Sequence, residues 1–257
     1  MYYVCLSFES SVAHNAEKIS ALINSYLHSL RMNGQVLGRE FSMIKKQNIF
    51  SSYVFIPEKI SLNNCFSNVY VCKCYEELKK AHIKITKTII GKDIDSASLC
   101  KCAFQNTYIL YSNYLTLESP LRCGNCFGVI PLYKIPKTYN NEDYYDIKSW
   151  ESDYQCCDTL QMGCSVGEKF ATKQMSEYNS VLSKYGIMVC KKIANLTGKN
   201  VYYYLYRYVS TSSKHKEVNR KCPSCGGEWF LEKRIHNLFD FRCDSCFLLS
   251  NISWSIL

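Results

Sequence analysis

Four cysteines carry the clearest chemistry in this sequence. Cys222 and Cys225 lie in Lys221-Cys222-Pro223-Ser224-Cys225-Gly226-Gly227. Cys243 and Cys246 lie in Cys243-Asp244-Ser245-Cys246, with 17 residues between the pairs. Two CxxC pairs at that separation suit a tetrahedral four-thiolate site for Zn2+, each pair forming a tight knuckle that presents two sulfurs. Gly226 and Gly227 follow the second sulfur, where the knuckle favours positive φ. Four thiolates leave no position for water, so the ion's role is structural. The interval predicts two short strands around His236-Asn237, which together make a zinc ribbon.

A third pair, Cys123 and Cys126, precedes Gly128 and Pro131. A thioredoxin-like redox centre needs a helix starting at its first cysteine, and Gly128 with Pro131 argues against one. The pair reads instead as half of a second metal site. Spacing leaves two partner sets open, Cys100 with Cys102 or Cys157 with Cys164. No phosphate loop, dinucleotide fingerprint, HExxH motif or nucleophile elbow appears, and the five histidines form no dyad. Asp153, Asp158 and Cys157 are the nearest thing to catalytic candidates. The expectation is a protein without enzymatic activity, with no evident small-molecule substrate.

The formal charge of +9 is uneven. Residues 169–221 carry 11 Lys or Arg against Glu177 and Glu217, whereas 142–158 carry six acids against Lys148. A basic block leading into a ribbon fits an anionic partner such as nucleic acid, DNA or RNA. Lys191, Lys192, Lys199, Lys214, Lys216, Arg220 and Lys221 would meet phosphates, and Trp229, Phe239 or Phe241 would stack on bases. The alternative is an interaction adaptor that uses the ribbon, with Glu228, Glu232, Asp240 and Asp244 set against Lys233, Arg234 and Arg242, to dock a protein. The opening residues lack the basic segment of a secretory leader, and no window approaches 18 uncharged apolar residues. With unpaired thiols this predicts a cytoplasmic chain that does not enter membranes.

The elements that must position these residues suggest an α+β fold in three parts: a mixed α/β domain over 1–118, a central helical and strand region over 119–213 containing cysteines, and the ribbon over 214–257. Strands are expected at 2–8, 52–57, 67–74 and 107–116. An Asn15-capped helix should end at Asn33-Gly34, and a short helix should lie around Glu76–His82. Residues 146–160 and 169–197 read as helical, with a break at Gly186 and a stop at Thr197-Gly198. The strand Val201–Val209 places Tyr202, Tyr204, Tyr206 and Tyr208 on one face, as sheet cover or a base-stacking platform. Residues 210–216 read as a linker.

Several blocks carry a family resemblance. They are Glu118-Ser119-Pro120-Leu121-Arg122-Cys123-Gly124-Asn125-Cys126 with Pro131-Leu132-Tyr133, and Ser152-Asp153-Tyr154 with Cys157-Asp158-Thr159-Leu160-Gln161-Met162 and Cys164. Val201-Tyr202-Tyr203-Tyr204-Leu205-Tyr206-Arg207 and the terminal ribbon complete the set. The chain resembles a bacterial family of uncharacterised proteins described as containing a Zn-ribbon and as candidates for nucleic-acid binding. The resemblance implies zinc at Cys222, Cys225, Cys243 and Cys246. It also makes Cys123, Cys126, Cys157 and Cys164 recurrent family positions, the set it favours for a second metal.

Overall fold

The computed structural model describes residues 1–11, 15–209 and 212–256; His14 and the first residues of the expected linker, Ser210 and Thr211, lie outside them. The chain is α+β and divides into two compact units. One comprises Met1–Leu99, Leu117–Ser119 and Val129–Tyr145; the other comprises Cys100–Thr116, Pro120–Gly128 and Asp146–Leu257. The region expected as a separate centre is thus shared out between them.

The first unit runs β1 (Tyr2–Ser10), α1 (Ala16–Met32), β2 (Met43–Lys46), β3 (Ile49–Ile56), α2 (Val69–Lys80) and β4 (Ile83–Lys92). Its sheet order, β2-β3-β1-β4, with every pairing antiparallel, is the split βαβ arrangement. Asn15 caps α1 by accepting the Glu17 amide at 2.9 Å. The helix ends at Asn33, and Gly34 follows at φ +73, where an added Cβ would sit 2.9 Å from that of Leu132. Ile23, Leu27 and Leu30 pack under Val4, Phe8, Val54 and Ile56. The strand expected at 67–74 is instead the first part of α2. Asn68 supplies the cap, accepting the Val71 amide at 3.0 Å, and only Val71 and Leu78 of the helix are buried. A side-chain cap and a one-sided apolar stripe outweigh the β-branched run.

The second unit holds a six-stranded sheet in the order β6-β5-β7-β10-β9-β8. Its strands are β5 (Thr107–Leu110), β6 (Leu121–Cys123), β7 (Asn200–Leu205), β8 (Phe230–Ile235), β9 (Phe239–Cys243) and β10 (Leu248–Ser250). Strand β7 pairs in parallel with both β5 and β10, and the other pairs are antiparallel. The ribbon strands therefore belong to the main sheet of the unit. The strand expected to reach Thr116 stops at Leu110, and beyond it Asn113 Oδ1 accepts the Leu115 and Thr116 amides in a turn.

Helices α3 (Tyr145–Met162), α4 (Glu168–Ser176), α5 (Val181–Thr197) and α6 (Lys214–Val218) complete the chain. Gly186 does not break α5. It lets the helix lie against the sheet, since a Cβ there would fall 2.2 Å from Tyr203 Cε2 and 2.5 Å from Trp150 Nε1. The interruption comes earlier, at 177–180, where Ser180 Oγ accepts the Ser183 amide and starts a new helix. Gly198, at φ +67, ends it. Tyr202 and Tyr204 are buried with Ile109, Phe239 and Leu249, so this tyrosine face is core and not a stacking platform.

Candidate metal centres

Among the described residues two groups of four cysteines are gathered, each with its sulfurs within 4.8 Å of one another. One is Cys222, Cys225, Cys243 and Cys246; the other is Cys100, Cys102, Cys123 and Cys126. In the ribbon, Cys225 Sγ lies 3.7 Å from Cys243 Sγ. A tetrahedron with metal–sulfur bonds of ~2.3 Å has edges of ~3.8 Å, so the donor set fits one ion. A disulfide would need ~2.05 Å, and all 16 cysteines are free. Both groups can therefore hold a metal ion.

The knuckles share one backbone design. The Cys222 amide bonds the Gly227 carbonyl at 2.9 Å and the Gly226 amide returns to Cys222 at 2.8 Å. Likewise the Cys123 amide bonds Gly128 and the Phe127 amide returns to Cys123, both at 2.8 Å. The residue after the second sulfur is left-handed in all three CxxC pairs: Phe127 at φ 59, Gly226 at 72 and Phe247 at 53. Of the two ribbon glycines only Gly226 needs that freedom; Gly227 instead passes close to a ligand, with its Cβ position 3.4 Å from Cys225 Sγ. Amides also point at sulfur, Cys102 N to Cys100 and Gly128 N to Cys126, each at 3.4 Å. Such donors offset thiolate charge. The Gly227 amide and the neighbouring thiols hold Cys225 down to about 7, whereas burial pushes Cys243 up to about 12.

The Cys100 group was legible only in part. Cys123 ends β6 opposite Tyr108 of β5, and Gly124 fits against Thr107, whose Oγ1 would lie 1.9 Å from an added Cβ. This pairing brings the knuckle to the segment before β5, where Cys100 and Cys102 sit. Cys157 and Cys164 join neither group. Cys157 faces inward from α3, its thiol raised to about 11 by burial, and Cys164 donates to the Gln161 carbonyl at its own helix end. A CxC pair placed just before a strand that neighbours the CxxC strand was the available signal.

The expected nucleic-acid residues separate sharply. Arg220 is structural: its guanidinium lies 4.8 Å from the Trp229 ring centre and 4.3 Å from that of Phe241, and it donates to Ser250 Oγ and the Asn251 carbonyl. Burial, reinforced by the charge of Arg207, lowers it to about 10. Lys192 pairs with Asp146 at 2.9 Å, Lys199 donates to the Tyr108 hydroxyl, and Lys221 pairs with Glu228. Lys191, Lys214 and Lys216 are exposed. Trp229, Phe239 and Phe241 are buried at 2%, 0% and 0% exposure, so none of them can stack on a base. The ribbon carboxylates expected for docking are largely engaged within the chain: Asp240 with Arg234 and the Ile252 amide, Asp244 with Arg242, Glu228 with Lys221. In the acidic stretch Asp146 and Glu151 are buried and paired, Asp158 accepts the Tyr114 amide at 2.7 Å, and Asp153 is exposed.

Sequence reasoning missed His236. Its Nε2 donates to the Gly124 carbonyl at 2.8 Å and its ring stacks on Phe127 at 5.1 Å. The turn between β8 and β9 is thereby tied to the Cys123 knuckle, and the ends of the two edge strands meet. Among the described residues no helix is long and apolar enough to cross a membrane.

Three family models match the chain, each described as a domain of unknown function: DUF8589 over residues 1–91, DUF2310 over 102–206 and DUF8594 over 211–256. A protein of Haemophilus influenzae (strain Rd), described as an uncharacterized protein, is 34% identical over 263 residues, covering 100% of both chains. A second from the same organism, described in the same words, is 38% identical over 169 residues, 66% of this chain and 82% of its own. Among solved structures, an antibiotic biosynthesis monooxygenase is 14% identical over 37% of this chain and 100% of its own, with a TM-score of 0.26. At that score the likeness supports no statement about fold or activity.

Proposed function

The chain belongs to the bacterial family of the Haemophilus influenzae protein that it matches from end to end, and from its two four-cysteine groups and the surface beside the ribbon we propose a zinc protein without catalytic activity that binds single-stranded nucleic acid there. Zinc is the ion that four thiolates in a closed tetrahedral set suit best. Each cluster would hold one ion, with no position left for water or substrate. Thiolate ligands must stay reduced, which suits a cytoplasmic setting.

One observation carries the nucleic-acid reading. The ribbon knuckles face α5 across a surface where exposed Lys191 and Asn195 stand near Ser224, Ser245 and the exposed Phe247 ring. Cations next to an available aromatic ring are what an unpaired strand requires. With Lys214 and Lys216 excluded, the one phosphate contact offered by Lys191 predicts a salt slope of about −0.7 for single strands. Fluorescence anisotropy with a labelled 12-nucleotide RNA and its DNA counterpart, between 50 and 200 mM salt, tests this. Binding that weakens with salt is expected. Micromolar protein without signal, or binding indifferent to salt, refutes the reading.

A further inference from the structure

Between α5 and the ribbon knuckles lies a cavity of about 380 Å3. Its inner wall is Val201 and Tyr203 of β7 with Ile187 and Cys190 of α5. Its rim holds Lys191, Asn195, Asn200, Ser224, Ser245 and Phe247. We propose that this cavity takes one nucleoside monophosphate unit, either as a free nucleotide or as one unpaired residue of a strand; the strand form rests on the nucleic-acid reading above.

Size, shape and charge point the same way. The volume lies within the roughly 300–1,000 Å3 of small-molecule sites, and the mix of apolar walls with a few convergent polar groups is typical of them. Tyr178 and Phe247 supply aromatic rings at the cavity, and every base offers a π-face to such groups. Asn195 and Asn200 amides and the Ser224 and Ser245 hydroxyls supply both donors and acceptors, as base edges need. Among the described residues no Asp or Glu lines the cavity and Lys191 is its one cation, so an anionic group is favoured at that rim and a divalent cation is not. Ser224 and Ser245 are the middle residues of the two CxxC knuckles, and Cys246 itself forms part of the wall. The cluster thus sets the position of the polar groups, which gives a structural metal a direct bearing on recognition.

The test uses the full metal-loaded chain, with AMP and UMP titrated calorimetrically and the labelled 12-mers followed by anisotropy. Asn195→Trp fills the cavity mouth, and Lys191→Met removes the cation; both positions are exposed on α5, and metal content with a melting curve confirms each fold. The expected result is nucleotide binding by the wild type, weakened at least tenfold by either substitution, with 12-mer affinity falling in parallel for Asn195→Trp. Nucleotides bound without the 12-mers uphold the cavity as a free-nucleotide site and remove the strand reading. If the 12-mers bind wild type and Asn195→Trp equally, the cavity proposal is overturned while the nucleic-acid reading stands. No binding of either probe overturns both.

Discussion

Arg220 separates a structural cation from a phosphate contact, and the two roles predict opposite results for Arg220→Met. The substitution removes two charge-assisted hydrogen bonds, to Ser250 Oγ at 3.1 Å and the Asn251 carbonyl at 3.2 Å, each worth about 1.5–3 kcal/mol at full strength. It also removes the guanidinium from the Trp229 and Phe241 rings, at about 0.5–1 kcal/mol each. Two offsets apply. Glu217 keeps Arg207 at 2.6 Å, so no carboxylate is stranded, and methionine refills much of the space. The net loss should be about 2–4 kcal/mol, or a melting point lower by roughly 6–12 °C. Trp150, Trp229 and Trp254 all lie in the second unit, so tryptophan fluorescence follows the unfolding of that unit. Lys216→Met, at an exposed position, should change stability by less than about 0.5 kcal/mol. If Arg220→Met melts like the wild type while 12-mer affinity and the salt slope fall, the structural assignment is wrong.

Other consequences can be checked alongside. Gly186→Ala should destabilise despite the better helix former, because overpacking costs about 1–3 kcal/mol against a propensity gain near 1; an equal or higher melting point would show that Tyr203 and Trp150 can yield. His236→Ala should loosen the edge-strand junction and speed amide exchange at Gly124 and Phe127, readable by hydrogen exchange, with unchanged protection as the contrary result. Burial lowers Lys137 from the ordinary lysine value to about 8 while its Nζ donates to Asn33 and Tyr144. The unfolded chain then binds more protons between about pH 8 and 10.5, so wild-type stability relative to Lys137→Met should rise with pH across that window. A flat difference would mean the amine is charged in the fold.

The ribbon cysteines were legible because their spacing is itself the geometric requirement, and the hairpin around His236-Asn237 followed from it. The first helix was legible at both ends, since Asn15 and Gly34 act through local backbone chemistry. What local pattern could not supply was pairing between distant segments. Cys100 and Cys102 meet Cys123 and Cys126 because β5 pairs with β6, and no spacing rule contains that register. Gly186 looked like a breaker because its real partners, Tyr203 and Trp150, are distant in sequence. The same blindness misread Arg220, Trp229 and Phe241 as an exposed binding set: basic and aromatic residues next to a zinc motif form a buried stack here. Helix α2 was lost differently, to a run of valines and tyrosine that a single asparagine cap overrides.

Elemental analysis of the purified chain with its cysteine variants tests the two separate four-thiolate metal sites most directly. Two zinc ions per chain are expected in the wild type, one in Cys102→Ser, one in Cys243→Ser, and two in both Cys157→Ser and Cys164→Ser. A single ion in the wild type, unchanged by Cys102→Ser, or a loss on Cys157→Ser, would contradict the two-site assignment.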